Sequence, residues 1–597
     1  MSDDIRAQTI YFIVTDRFHD SDPSNDGGRN PESYDATHTN WGKYWGGDLG
    51  GVVAKLDYLQ GLGVGAVWLT PVFDQVDGTT DAEGRGHAAY HGYWAKDFRR
   101  IDEHLVSRPD DISVFRSSDT VFDRMLAAMR ARGITLVLDV VCNHSSPELQ
   151  QQKGALYDDG QFLTSYDDDR LGWYHRTGSI TDWRSERVVQ EGELCGLADF
   201  DENVHSFRSY IKGVMKDWLD KGVGALRVDT VKHMPLWFWQ EWVSDLRAHR
   251  PGLFLVGEWF QGGCYDAASV AFANGSGMTI FDFALQRALE EALARSLYDG
   301  FLAVDRVFAA DGQFRRPTHL VTFVDNHDMP RFQSVGATAR RLEMAVALVM
   351  VARGIPCIYY GTEQYLHDDT NGGADPYNRP MMDRWDTQSP LYCAVARLAR
   401  LRRDNVAIQR GYHQPRWLSA DTYAFERGWG ASVCLAVFNR GAARSIGPVR
   451  TALPDGDYAC VLTGRRVAVS GGHVAHLDLA SDDVLVLSHA VVEPPVPGTS
   501  VTFQLNGYTT QPGERIAVVG DAPELGGWDF AKAPPLRYVS PNLWEGDVGF
   551  ERSAGSLVRY RFVVLRDAGP PTVETAYPRR AYIPPSGVDR RSDRWGG

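Results

Sequence analysis

From about residue 8 to residue 403, short apolar, β-favouring runs alternate with stretches whose apolar positions recur at helical spacing. The runs Thr9–Thr15, Val64–Leu69, Thr135–Val141, Val223–Val228, Leu253–Gly257, Thr279–Phe283, His319–Val324 and Ile355–Tyr359 read as eight strands separated by helices. That alternation predicts an α/β fold, a parallel (β/α)8 barrel. The stretch Thr120 to Arg132 shows the helical half of the pattern. Val121, Met125, Leu126 and Met129 recur on one face, and Gly133 stops the helix; Phe207 to Lys221 ends the same way at Gly222.

The rhythm breaks between residues 142 and 205, a polar stretch rich in Asp and Gly and longer than an ordinary strand-to-helix connection. It reads as a small inserted domain, which divides the barrel into 1–141 and 206–403. Beyond Arg403 short alternating strands such as Ser432–Phe438 and Val484–Leu487 predict an all-β domain over 404–489. A Pro-rich, semi-rigid linker follows at 490–498. Residues 499–597, opening on Val501–Leu505, then predict a second β module, a β-sandwich with Gly and Pro turns.

Composition narrows the function. The net charge of −15 comes without a basic stripe, which argues against nucleic acid and suits a neutral substrate. No apolar run approaches the roughly 20 residues of a membrane span, so no membrane partner is expected. No signal-peptide core is visible either. The seven Cys are scattered without a CxxC pair, which speaks against zinc and against a disulfide framework; Cys434 and Cys460, in neighbouring predicted strands, are placed where they could pair, but free buried thiols are expected.

A barrel carries its chemistry at the C-terminal ends of its strands. Those ends hold Asp139, Asn143 and His144 after strand three, Arg227 and Asp229 after strand four, Glu258 after strand five, and His327 with Asp328 after strand seven. Each alone is an ordinary surface or capping residue. Together they bring four carboxylates, two imidazoles and a guanidinium to one mouth, a set suited to acid–base and nucleophilic chemistry.

Four of these segments, Asp139–His144, Gly224–His233, Val256–Trp259 and Phe323–Asp328, resemble the signature regions of the α-amylase family, glycoside hydrolase family 13, and Leu197–Asp199 resembles its fifth. Within that family the likeness is to cyclodextrin glucanotransferases and maltogenic amylases, through Tyr11 with Thr15–Phe18, Tyr90–Trp94 and Asp375–Arg379. The resemblance implies Asp229 as nucleophile, Glu258 as acid/base and Asp328 as the carboxylate that grips sugar hydroxyls. It implies Arg227, His144, His327, Tyr93 and His91 around the same sugar. Lys232, His233 and Phe260 would lie on the acceptor side, and Asp375 and Arg379 on the donor side.

The resemblance also implies calcium as a structural ion at two sites. One would use Asn143, Asp199 and the carbonyl of His233; the other would use Asp20, Asp22, Asn25, Asp26, Gly46 and Asp48, oxygen-rich groups that suit a hard cation. The tail, with Gly520–Trp528 and Leu543–Trp544, resembles the starch-binding module of carbohydrate-binding family 20, in which Trp528 would be a sugar platform and Trp544 a core residue. Val573 stands where that family has a second platform Trp, and Pro512 where it has an aromatic. Cys195 stands where cyclising relatives place the ring around which the glucan curls, and the chain has no room for their additional immunoglobulin-like domain.

The reading from sequence is therefore a retaining hydrolase of α-1,4 bonds in starch and malto-oligosaccharides, secreted, acting as a monomer. The alternative is an α-glucan transglycosylase, of the cyclodextrin-forming kind or another 4-α-glucan or maltosyl transferase. A catalytically dead glucan-binding protein is the distant third.

Overall fold

A computed structural model describes residues 4–80, 86–149, 152–492 and 498–596. The chain divides into two compact units, Met1–Gly300 with His319–Met350 and Gly354–Leu401, and Phe301–Thr318 with Val351–Arg353 and Arg402–Gly597. No helix among the described residues is long and apolar enough to cross a membrane.

The first unit is built on an eight-stranded parallel sheet. Its strands, in chain order, are Ile10–Ile13, Ala66–Leu69, Thr135–Val140, Ala225–Val228, Phe254–Gly257, Thr279–Ile280, Val321–Thr322 and Ile355–Tyr359. Each pairs with the next in sequence except the sixth with the seventh, and the first pairs with the last. A parallel bridge between Phe281 and Val321 closes the ring. The strands are buried on both faces, as parallel strands ringed by helices must be. Inside, Phe12 stacks on Trp68 with ring centroids 3.5 Å apart and on Tyr359 at 5.2 Å, so an aromatic layer floors the mouth of the barrel.

The helices follow their local signals. Thr120 caps Val121–Ala131 through a reciprocal pair: its hydroxyl accepts from Asp123 N, and its own backbone N–H donates to the Asp123 carboxylate. The helix His205–Lys221 ends at Gly222, whose φ of 120° lets the chain turn away.

The insertion is less self-contained than its sequence predicts. Its strands Leu156–Asp158 and Gln161–Thr164 join Phe73–Gln75 and Ala95–Ile101, which follow the second barrel strand, in one four-stranded sheet. Two separate connections of the barrel are thereby tied together at its C-terminal end.

The second unit holds both β modules. In one, the strands Tyr412–Leu418, Thr422–Trp429, Ser432–Asn439 and Asp483–His489 form an antiparallel sheet. In the other, two four-stranded sheets enclose a core around Phe503, Ile516, Trp544 and Phe562. The Pro-rich linker falls mainly on 493–497, outside the described residues. Cys434 and Cys460 are buried free thiols.

Candidate active site

Register assembles the site. Asp139 on barrel strand three lies directly beside Arg227 on strand four, and Val228 beside Gly257 on strand five. The ladder continues one step, with Asp229 N donating to Val140 O at 2.9 Å and Glu258 N to Val228 O at 2.8 Å. Asp229 and Glu258 thus leave adjacent strands at the same height.

The Arg227 guanidinium is buried among three carboxylates. Its Nη1 donates to Asp229 Oδ1 at 2.7 Å and to Asp139 Oδ1 at 2.9 Å, and its Nη2 lies 3.0 Å from Glu258 Oε1. Asp139 also accepts from Trp68 Nε1 at 3.0 Å and from the Tyr93 hydroxyl at 2.9 Å. One cation cannot neutralise three buried carboxylates. Asp139 collects donors from three residues, whereas Glu258 has Arg227 and a long contact from Thr230 N at 3.5 Å. Burial pushes the Glu258 carboxyl well above the usual range. Arg227 pulls against that, and Asp229, Asp328 and Asp139 push it further up. Burial also raises Asp139, to about 7, so Glu258 and Asp139 are the two carboxyls whose protonated forms this cluster favours.

Around this core the imidazoles are neutral near pH 7. Burial lowers the pKa of His144, His327 and His91, and brings His233 down to about 4. Two imidazole nitrogens, Nε2 of His144 and Nδ1 of His327, are buried without a protein partner. They supply the donors or acceptors that a sugar hydroxyl would satisfy. Tyr93 stacks against His327 with centroids 5.5 Å apart, and its hydroxyl lies 2.7 Å from His327 Nε2. Gly92 makes this placement possible: its φ is +90°, and a Cβ there would meet Pro71 O at 2.4 Å. His91 accepts from Tyr93 N through Nδ1 at 3.1 Å.

Arg379 spends its donors on protein groups. It reaches Asp328 at 3.4 Å, Asp375 at 3.1 Å, the Tyr90 hydroxyl at 3.1 Å and His327 O at 2.9 Å. Its geometry is that of a residue that aims Asp328. Asp375 is exposed. On the other side, Lys232 and His233 sit on the single turn Val231–His233, which hangs from Glu258 through Val231 N to Glu258 O at 3.2 Å. His233 Nδ1 bonds Val189 O of the insertion at 3.1 Å. Phe260 is 43% exposed with its inner edge against Phe283. Trp183 is 56% exposed and edge-on to the His233 ring at 6.0 Å. The motifs do not reach it, because it lies in the polar insertion where no strand end marks it. Cys195 is exposed at φ 53°.

The residues expected to hold calcium also converge. Asn143 Nδ2 lies 2.8 Å from Asp199 Oδ1 and 3.2 Å from His233 O. A half-turn of that amide exchanges its nitrogen for oxygen. Burial pushes Asp199 up to about 7, the mark of a carboxylate short of positive charge. His175 Nδ1 pairs with its second oxygen at 2.7 Å, a contact not anticipated from sequence. In the N-terminal loop, Asp22 N donates to Asp20 Oδ1 at 2.9 Å. Asp48 accepts from Ser21, Asn25 and Gly51, while Asn25 Oδ1 and Asp26 Oδ1 are buried without a partner. Gly46 lets the backbone approach: a Cβ there would lie 2.7 Å from Asp26 Oδ1. Both donor sets are oxygen-rich, and that of the N-terminal loop is also underpaired, which fits a hard divalent cation.

The profile of the α-amylase catalytic domain matches residues 12–394. The chain belongs to the α-amylase family. The family's C-terminal all-β domain matches 417–490 and a starch-binding domain 498–592. A cyclomaltodextrin glucanotransferase of Klebsiella oxytoca is 34% identical over 595 residues, covering 91% of this chain and 87% of the relative. An α-amylase of Niallia circulans is 36% identical over 470 residues, covering 76% of this chain and 85% of the relative. Among solved structures, a cyclomaltodextrin glucanotransferase with a three-domain ABC distribution superposes with a TM-score of 0.76 at 37% identity. It covers 81% of this chain and 99% of that one. The α-amylase family member described here is thus a glucan-active enzyme of the glycoside hydrolase and transglycosylase class.

Proposed function

We propose that this enzyme is a retaining α-1,4-glucan transglycosylase, in which a sugar hydroxyl competes with water for the glycosyl-enzyme. This reverses the order read from sequence, which put hydrolysis first. The cyclomaltodextrin glucanotransferase relatives, aligned over nearly the whole chain, support transfer. The observation that carries the retaining mechanism is the pair Asp229 and Glu258, held by two nitrogens of one guanidinium. Such bridging favours the closer spacing, about 5–5.5 Å, of retaining enzymes over the wider gap that must admit a water.

In the first step the Asp229 carboxylate attacks the anomeric carbon while Glu258 gives its proton to the departing glycosidic oxygen. In the second, Glu258 takes the proton of the incoming hydroxyl, which attacks the same carbon and releases Asp229. His144, His327 and Asp328 bind hydroxyls of the reacting sugar, and Tyr93 stacks beneath it. Phe260 and Trp183 give an acceptor glucose two apolar faces next to Lys232, so binding energy favours a sugar over water. Cys195 offers no ring for a chain to curl around, so linear products dominate over cyclic ones.

Calcium fits the Asn143, Asp199 and His233 carbonyl set and the Asp20–Asp26 loop with Gly46 and Asp48. When bound there, it supplies positive charge that ties the insertion and the N-terminal loop to the barrel. Trp528 is the remaining sugar platform of the starch-binding module. As in the family, action on extracellular starch is the setting this reading implies.

Maltotetraose digestion with parallel counting of cleaved bonds and new reducing ends tests the proposal. Transfer predicts maltoheptaose and related linear products, with far fewer new reducing ends than bonds cleaved. A one-to-one rise from the earliest time points would return the enzyme to the hydrolases.

A further inference from the structure

We infer that the sheet face bearing Val539, Leu543, Glu545 and Asp547 is a dedicated docking surface for the preceding β domain. On this inference the starch-binding module and that domain move and unfold as one body. The centre of the contact is a hydrophobic core shared by both. Ala407 and Trp429 of the first domain and Val539 and Leu543 of the module are all buried in one cluster. Arg410 covers its edge: Nε donates to Glu545 Oε1 at 2.7 Å, and the terminal nitrogens reach Asp547 at 2.5 and 3.0 Å. Two guanidiniums lie over the Trp429 ring, Arg410 at 4.5 Å from its centroid and Arg537 of the module at 5.1 Å.

Three further observations fix the module within the second unit, two of them through residues 301–318 of that unit beside the preceding β domain. Glu545 is fully buried, with Arg410 on one carboxylate oxygen and Gln504 of the module on the other. Gly312, in the same unit, faces Pro541 so closely that a Cβ would lie 3.2 Å from both its Cβ and its carbonyl oxygen. Asn506 Nδ2 donates to Arg315 O at 3.1 Å. Apolar centre, charged rim and close backbone approach are the anatomy of a permanent interface. A module swinging on its linker would instead expose Trp429 and Leu543 together. Trp528 takes no part in the contact and stays 37% exposed, so the sugar platform is presented at a fixed place on the docked pair.

The test is made on the full chain with a specific protease site inserted between Pro494 and Pro495. After cleavage, the wild-type module should co-elute with the rest of the protein and melt without a calorimetric transition of its own. With Trp429→Ala and Arg410→Ala combined, the cleaved module should dissociate. Arg410→Gln, which keeps the stem and loses the fork, should give partial release. A wild-type module that separates on cleavage overturns the inference, and that arm needs no substitution. So does a doubly substituted protein whose cleaved module stays attached as firmly as wild type.

Discussion

Arg227 Nη1 and Asp229 Oδ1 stand 2.7 Å apart, and the other terminal nitrogen of the same guanidinium faces Glu258. One side chain therefore aims the proposed nucleophile and shares its charge with the proposed acid. Asp328, aimed in turn by Arg379, adds a negative charge that raises the pKa of Glu258.

A pH dependence follows from that arrangement. The acid works only while protonated, so kcat/KM falls as pH rises through the pKa of Glu258. Asp328→Asn removes one of the charges that hold this pKa up, so the alkaline limb should move to lower pH as well as lose amplitude. Profiles of wild type and variant on a nitrophenyl malto-oligosaccharide check the sign. A limb that stays or moves upward contradicts the assignment.

Gly92→Ala should destabilise the enzyme by about 1–3 kcal/mol through backbone strain and raise KM by displacing Tyr93. Gly172→Ala is the comparison. Its φ of 64° is also left-handed, yet nothing lies within 4 Å of the added Cβ, so it carries strain alone. Equal melting temperatures and equal KM for the two variants would show that the Pro71 contact is unimportant.

Much of the barrel is legible in sequence, because fully buried parallel strands must be continuous apolar runs. Ile355–Tyr359 matches its predicted span, whereas the run Thr279–Phe283 shortens to Thr279–Ile280. There Asp282 accepts from Leu285 N and starts a helix, and the local cap prevails over the run. At the site, motif residues mark strand ends and so are found. His175 beside Asp199, Trp183 beside His233 and the joining of two connections in one sheet are contacts between distant segments, and no local pattern announces them. The same holds for Trp429 and Leu543, which share one core although they lie more than a hundred residues apart.

Calcium should raise stability by mass action, by about 2.7 kcal/mol at a hundred times its dissociation constant. Chelation is therefore expected to lower the melting temperature and added calcium to restore it. An unchanged melting curve after exhaustive chelation, with no calcium found by metal analysis, would remove the ion from the account.

Starch binding by the module should depend on Trp528, since stacking on an aromatic face provides much of the affinity for a neutral sugar. Adsorption of the full-length Trp528→Ala protein to granular starch should drop several-fold. Val573→Trp, which supplies a second platform, should strengthen it. Adsorption indifferent to Trp528 would place the glucan on another surface.

The most direct measurement looks for the covalent intermediate itself. Glu258→Gln should retain less than about a thousandth of wild-type activity on starch. Given α-maltosyl fluoride, whose leaving group needs no proton, it should still form the glycosyl-enzyme and then stall. Mass spectrometry of the digested protein should find one maltosyl unit on the peptide containing Asp229. Fluoride release with that peptide unmodified, or with the label on another carboxylate, would contradict the mechanism.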